Sequence, residues 1–354
     1  VKFLLIRLRL IGDVVFTTPA VAALRRQFPD ACISYLVEPA AEPVVRHNPH
    51  LDRVIVAERP RGLRRLLYDR SLAARLRRDR YDCVIDFHGG PRSAWLTRAT
   101  GAKQRIGYDL PWRAWAYTTR LPWTRQLVPP RHSVQNQLDL LAPLGVDVEG
   151  FGAPPAEMPV DATAATAVGQ RLESAGVPSD APIVLIHVSA GNPFRRWPQE
   201  HFATVAAALA TADRRRRIII TSGPSERAAA DATARAAQAR AGDAAVSIVR
   251  CGEFDLSELR ALAARASLYL GGDSGPLHVA STTHVPIVAL FGPTLPGRSM
   301  PWRQNAPAVA VDAGALPCRP CHQRVCEPGD FRCLTHLDPA RVVEAAERLL
   351  RSPW

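Results

Sequence analysis

The chain has 354 residues, 47% of them hydrophobic and 22% charged, the proportions of a globular protein with room for two domains. No stretch approaches the ~20 consecutive apolar residues that a membrane-spanning helix requires. The net charge of +12 sits mostly in the first half: residues 1–150 hold 24 Lys+Arg against 14 Asp+Glu, while residues 151–354 hold 21 against 19.

Residues 3–10 read as a strand whose apolar run is broken by Arg7 and Arg9. A signal peptide needs an unbroken apolar stretch, so a cytoplasmic location is expected. Gly12-Asp13 then falls in the loop after this strand, and Thr18-Pro19 opens a helix reaching residue 28. Strands follow at 32–37 and 53–57. The arginine-rich segment 63–80 reads as a helix carrying Arg64, Arg65, Arg70, Arg75, Arg77 and Arg78, with Arg61 just before it. Two readings of it stand. It meets a polyanion (phosphorylated glycolipid, anionic membrane surface or nucleic acid), or it is a solvated face with Leu63, Leu66, Leu67 and Leu76 turned inward. All basic residues except Lys2 and Lys103 are arginine, a bias across the whole chain that weakens any argument from a single arginine's geometry.

A strand at 81–87 ends in His88-Gly89-Gly90. Residues 110–130, with Trp112, Trp115 and Trp123, read as an irregular lid or acceptor wall, or as a surface loop packed on the first domain. A Gly- and Pro-rich linker spans about 144–181 with one helix near 162–175, so the domains are expected at 1–160 and 161–354. Alternation restarts with strands at 182–188, 217–222, 245–250, 268–271 and 287–291. The fold class is α/β, two doubly wound parallel-sheet units. No G-x-G-x-x-G follows the first strand, which argues against a nicotinamide dehydrogenase.

Three loops carry candidate chemistry. Asp273-Ser274-Gly275-Pro276-Leu277-His278 opens a helix where free backbone N–H groups, Gly275 and His278 suit an anionic group such as a diphosphate. The loop from His187 to Pro198, with Ser189, Arg195 and Arg196, combines small residues with positive charge. Asp13 is a candidate general base, or an Asp that bonds its own turn. Phe254 is either a ring for a nucleotide base or an ordinary buried aromatic. Cys318, Cys321, Cys326 and Cys333, with His322 and His336 nearby, are a candidate structural zinc or iron knuckle, or reduced thiols. Cys32, Cys83 and Cys251 read as core residues.

The strings Leu10-Ile11-Gly12-Asp13-Val14-Val15-Phe16-Thr17-Thr18-Pro19-Ala20 and Gly272-Asp273-Ser274-Gly275-Pro276-Leu277-His278-Val279-Ala280, with Val285 to Thr294 following the second, resemble the signatures of glycosyltransferase family 9. That family includes the heptosyltransferases of lipopolysaccharide core assembly. The resemblance implies a GT-B enzyme of two Rossmann-like domains facing a central cleft, inverting, with no metal in the chemistry. It implies an acceptor domain before residue 160 and a nucleotide-sugar donor domain after it.

By the same resemblance Asp13 is the catalytic base, and Ser189, Arg195, Glu226, Phe254, Asp273, Ser274, Gly275 and His278 bind the donor. Arg195 stands where the family has a lysine, and the spacing around Glu226 departs from the pattern. The implied donor is ADP-L-glycero-β-D-manno-heptose. The implied acceptor is the phosphorylated Kdo–lipid A or heptosyl inner core, met by Arg61, Arg64 and Arg65 at the inner leaflet, where the protein would be peripheral. Another GT-B transferase, an epimerase and a nucleic-acid-binding protein are the competing readings. The aromatics do not interleave with the basic run as a single-strand platform needs, so no nucleic-acid partner is expected.

Overall fold

The computed structural model describes residues 1–124, 131–147, 152–304 and 306–352. The chain divides into two compact units, Val1–Pro159 and Val160–Trp354.

In the first unit the order is β1 (Lys2–Ile6), α1 (Ile11–Val15), α2 (Thr18–Gln27), β2 (Cys32–Val37), α3 (Glu42–Val45), β3 (Arg53–Val56), α4 (Leu63–Arg78), β4 (Cys83–Asp86), α5 (Pro91–Ala99), β5 (Gln104–Tyr108), β6 (Thr119–Leu121) and α6 (Ser133–Asp139). The six strands form one parallel sheet in the order β3-β2-β1-β4-β5-β6. Phe3, Leu4, Leu5 and Ile6 of central β1 are all buried, as a strand covered on both faces requires.

The second unit runs α7 (Ala162–Ser174), β7 (Ile183–His187), α8 (Gln199–Ala212), β8 (Arg217–Thr221), α9 (Arg227–Ala241), β9 (Ile248–Val249), α10 (Leu256–Arg265), β10 (Leu268–Gly272), α11 (Gly275–Ala280), β11 (Ile287–Phe291), α12 (Pro296–Ser299), β12 (Ala308–Asp312), α13 (Arg332–Thr335) and α14 (Pro339–Arg351). Its sheet order is β12-β11-β10-β7-β8-β9, which repeats the topology of the first. Alternate strand residues feed two cores. Val184, Ile186, Ile218 and Ile220 pack with α8, α9 and α14, while Ile183, Leu185, Ile219 and Tyr269 pack with α7, α10 and α11. In each sheet the strand order reverses beside the first strand, between β1 and β4 and between β7 and β10. The carboxyl ends of strands at such a reversal are where doubly wound folds bind ligands.

Several expectations need correction. Leu63, Leu66 and Leu67 do not turn inward: they are 80%, 60% and 67% exposed, and only Leu72, Ala73 and Leu76 of α4 are buried. Cys32 is exposed, Cys83 is buried in the core and Cys251 is half-buried against the second unit's core, so of the three expected core thiols Cys32 is the one misplaced. The strand at 245–250 shrinks to Ile248–Val249 because a 3-10 turn takes residues 242–247. The linker is capped rather than loose at its far end, where Asp161 accepts hydrogen bonds from Thr163 N (3.0 Å) and Ala164 N (3.1 Å) to start α7. Residues 125–130 of the Trp-rich segment and 148–151 of the linker lie outside the described residues. Within that segment Trp123 packs edge-on against Tyr108 at 4.6 Å, while Trp112 and Trp115 are exposed.

Candidate active site

In the first unit the chain leaves β1 at Arg7 and enters α1 through Leu10, whose φ of 67° lies in the left-handed region that a leucine rarely adopts. Strain of this kind persists where the surroundings hold it in place and often marks a functional turn. Asp13 therefore sits in a one-turn helix rather than in a free loop. Its carboxylate is ion-paired with Arg7, and both side chains are nearly inaccessible. Arg7 Nη1 also donates to the Phe87 carbonyl at 2.5 Å, which ties Asp13 to the end of neighbouring β4.

There Asp86 is fully buried and accepts from His88 N (2.9 Å), Gly89 N (3.0 Å) and the Tyr117 hydroxyl (2.7 Å). Burial raises its pKa against the opposing pull of those donors. His88 is pushed down to about 3 by burial and by the charges of Arg7 and Arg9, so its ring is neutral at physiological pH. Both carboxylates stand at the sheet's reversal point; Asp86 is taken up by the N–H groups of its own loop and the Tyr117 hydroxyl, and Asp13 is the candidate base. Sequence reasoning found Asp13 but not Arg7, whose only signal was a cation inside an apolar strand.

In the second unit Asp273 is the hub. It is 3% exposed and stands 3.0 Å from Arg195 Nη1 and 3.4 Å from His278 Nε2, and Thr294 Oγ1 donates to it at 2.6 Å. Burial would raise its pKa, but the His278 ring beside it, the Arg195 charge and Thr294 outweigh it and hold the carboxylate well below its usual range. Arg195 is fixed at two further points, through Nη1 to the Asp273 carbonyl (3.0 Å) and through Nε to Gln323 Oε1 (2.7 Å). The guanidinium's remaining nitrogen, Nη2, has no hydrogen-bond partner among the described residues and stays available to an anion. Gln323, which also accepts from Asn192 Nδ2 at 2.9 Å, carries no motif and was missed.

Ser274 starts α11 by its backbone angles but makes no capping hydrogen bond with its side chain. Its buried Oγ has no partner among the described residues, a costly arrangement unless a ligand satisfies it. Gly275 is the first residue of α11. That helix is only six residues long, so the expected anion site rests on side chains and loop N–H groups more than on a helix dipole. A Cβ at Gly272 would lie 3.2 Å from the Arg195 carbonyl oxygen, so β10 ends in glycine where the Arg195 turn crosses it.

Ser189 braces two loops. It accepts from Gly223 N at 2.8 Å and lies 2.9 Å from His187 Nε2, while His187 Nδ1 lies 3.1 Å from Thr221 Oγ1. Because Thr221 donates to the Ile186 carbonyl (3.3 Å), it accepts from His187 Nδ1–H, and Ser189 donates to Nε2. Burial pushes His187 down to about 4, in keeping with a neutral ring. Glu226 faces Arg196 Nε at 2.8 Å. Phe254 is 8% exposed, packed in a core cluster with the Arg171 guanidinium 4.0 Å over its ring, so one face is already covered.

Residues 69–329 match the family described as glycosyltransferase family 9 (heptosyltransferase). The chain belongs to that family. It is a glycosyltransferase, and its two Rossmann-like sheets are those of the GT-B fold. It is 28% identical over 356 residues to lipopolysaccharide heptosyltransferase 3 of Escherichia coli, covering 98% of both chains. The structure of E. coli ADP-heptose LPS heptosyltransferase II superposes with a TM-score of 0.77 at 20% identity, covering 99% of this chain and 98% of that one. TibC, an iron-containing dodecameric glycosyltransferase from enterotoxigenic E. coli, gives 0.57 at 14% identity, covering 99% and 78%.

A set of four cysteines suits zinc or iron chemically, and Cys318, Cys321, Cys326 and Cys333 line one cavity of about 400 Å³. The side chains do not converge on an ion. Among the described residues no three Cys, His, Asp or Glu groups are placed to share one. Cys326 Sγ instead accepts from Phe331 N at 3.4 Å, and Cys333 packs against the core, where burial and the neighbouring thiols push it up to about 11. The candidate metal knuckle is not formed among the described residues, and no step of the chemistry is routed through it.

Proposed function

We propose that this family 9 glycosyltransferase transfers a heptose from ADP-L-glycero-β-D-manno-heptose to the phosphorylated Kdo–lipid A or heptosyl inner core of lipopolysaccharide, with inversion, at the inner leaflet. The observation that carries the donor half is the Arg195 guanidinium, held by Asp273 and Gln323 beside the unpartnered Ser274 hydroxyl at the β7/β10 reversal. Asp13 takes the proton of the acceptor hydroxyl as that oxygen bonds to the sugar's anomeric carbon. The bond from that carbon to the diphosphate breaks, and ADP leaves with the electron pair. Arg195, with the Ser274 hydroxyl and the backbone at Gly275, stabilises the charge on the departing diphosphate, while Asp273 and His278 hold that arrangement. Ser189 and Glu226 shape the nucleotide side, and Phe254 offers an apolar edge to the base. Arg61, Arg64 and Arg65 attract the phosphorylated acceptor.

The names of the relatives support the sugar and the nucleotide, and the site chemistry supports a diphosphate. The test is to offer ADP-heptose, ADP-glucose, UDP-glucose and UDP-N-acetylglucosamine with a heptose-deficient core acceptor. ADP-heptose should be preferred by at least ~10²-fold in kcat/KM. Equal use of a UDP-sugar would overturn the donor assignment.

A further inference from the structure

Helix α4 carries its apolar residues on two different faces. Leu72, Ala73 and Leu76 are buried against the first unit's core, and half-buried Tyr68 and Asp69 continue that inner face. Asp69 is held there by Arg92 at 2.6 Å and Arg65 at 3.7 Å. On the opposite face, at the spacing i, i+3, i+4 and i+7, stand Leu63, Leu66, Leu67 and Arg70, and the same face continues through Ala74, Arg77 and Arg78. The three leucines are 80%, 60% and 67% exposed. A single exposed leucine is ordinary, but three adjoining ones at a helix start form a patch that asks for a covering surface.

The rim of this patch states its chemistry. Arg61, Arg64 and Arg70 are exposed, and none of them pairs with a carboxylate among the described residues. Residues 58–78 hold eight arginines against two carboxylates, Glu58 and Asp69, and Asp69 is already neutralised. An apolar tip ringed by unpaired cations fits the headgroup–acyl boundary of an anionic bilayer: the leucines enter the acyl region and the guanidiniums meet lipid phosphates. A second copy of this patch would bring like charges together.

We propose that the first two turns of α4 are a membrane-docking element, inserting Leu63, Leu66 and Leu67 into an anionic bilayer with Arg61, Arg64 and Arg70 on its phosphates. The proposal deepens the reading of a lipid-linked acceptor and rests on it for its purpose, but its test does not need the transfer reaction.

The experiment is co-sedimentation of the full chain with vesicles of phosphatidylethanolamine and phosphatidylglycerol, and with phosphatidylcholine vesicles as the neutral arm. The variant replaces Leu63, Leu66 and Leu67 with Gln, which keeps helix propensity and all charges. Wild type should bind the anionic vesicles at least tenfold more tightly than the neutral ones. The triple Gln variant should lose at least tenfold of that affinity, with unchanged circular dichroism, melting temperature and transfer to an acyl-free soluble acceptor. Wild-type-like vesicle binding by the triple variant would overturn the insertion, leaving the arginines as a diffuse electrostatic surface. Absence of wild-type binding to anionic vesicles would overturn it equally. A loss of self-association in the triple variant, with vesicle binding intact, would reassign the patch to a contact between copies. Failure of heptose transfer with vesicle binding as described would count against the proposed function and not against docking.

Discussion

Asp13, the proposed base, and Arg7 form a buried ion pair, and burial makes them informative together. Replacing Asp13 with Asn removes the proposed proton acceptor, so kcat should fall by ~10²–10⁴-fold while ADP affinity stays near normal. The same change leaves the Arg7 guanidinium buried with its charge uncompensated, which typically costs about 3–5 kcal/mol. The double variant Arg7→Met/Asp13→Asn should therefore regain most of the stability and none of the rate. Recovered rate, measured where chemistry limits turnover, would show that Asp13 is only a partner for Arg7.

In the second unit Gln323→Ala removes the acceptor that steadies Arg195 Nε and should weaken ADP binding about tenfold, or about 1.4 kcal/mol, by calorimetry. Unchanged affinity would mean that Asp273 alone sets the guanidinium. His187 provides a pH readout. It is neutral in the fold down to about pH 4, against an ordinary value of 6.5, so between these values the unfolded chain binds more protons and stability falls as pH falls. Between pH 7 and pH 5 this one group should cost about 2 kcal/mol. Urea unfolding of His187→Asn should show a correspondingly flatter dependence, and an identical slope would remove His187 as its source.

At the scale of elements, Gly272 joins strand to site. Gly272→Ala would press its Cβ on the Arg195 carbonyl at the end of β10. ADP affinity should fall several-fold, with a melting temperature lowered by only a few degrees; loss of folding without any loss of affinity per folded molecule would contradict that placement. The elements most legible in the sequence were those with continuous apolar runs, such as β1, β7 and β11, because both faces of their strands are covered. Gln104–Tyr108, Thr119–Leu121 and Ala308–Asp312 were not, since these strands lie at or next to sheet edges and mix polar with half-buried residues. Of the two readings of α4, the one with its leucines turned inward failed for a related reason. Helical periodicity says which residues share a face, not which of two apolar faces meets the core.

At the scale of the whole molecule, two sheets of identical topology each place their candidate residues where the strand order reverses, Asp13 after β1 in one and Arg195 and Asp273 after β7 and β10 in the other. Motifs marked both places in advance, since each packs small and polar residues at a strand's end. The side chains that hold them, Arg7, Thr294 and Gln323, became visible only when the fold brought distant segments together. The central claim is that this pair of sites performs an inverting heptosyl transfer, and stereochemistry tests it most directly. Purified protein, ADP-L-glycero-β-D-manno-heptose and a heptose-deficient core acceptor should yield one ADP per heptose transferred, and nuclear magnetic resonance of the product should show an α-linked heptose, opposite to the donor's β configuration. A β-linked product, or ADP release without glycosylated acceptor, would contradict it.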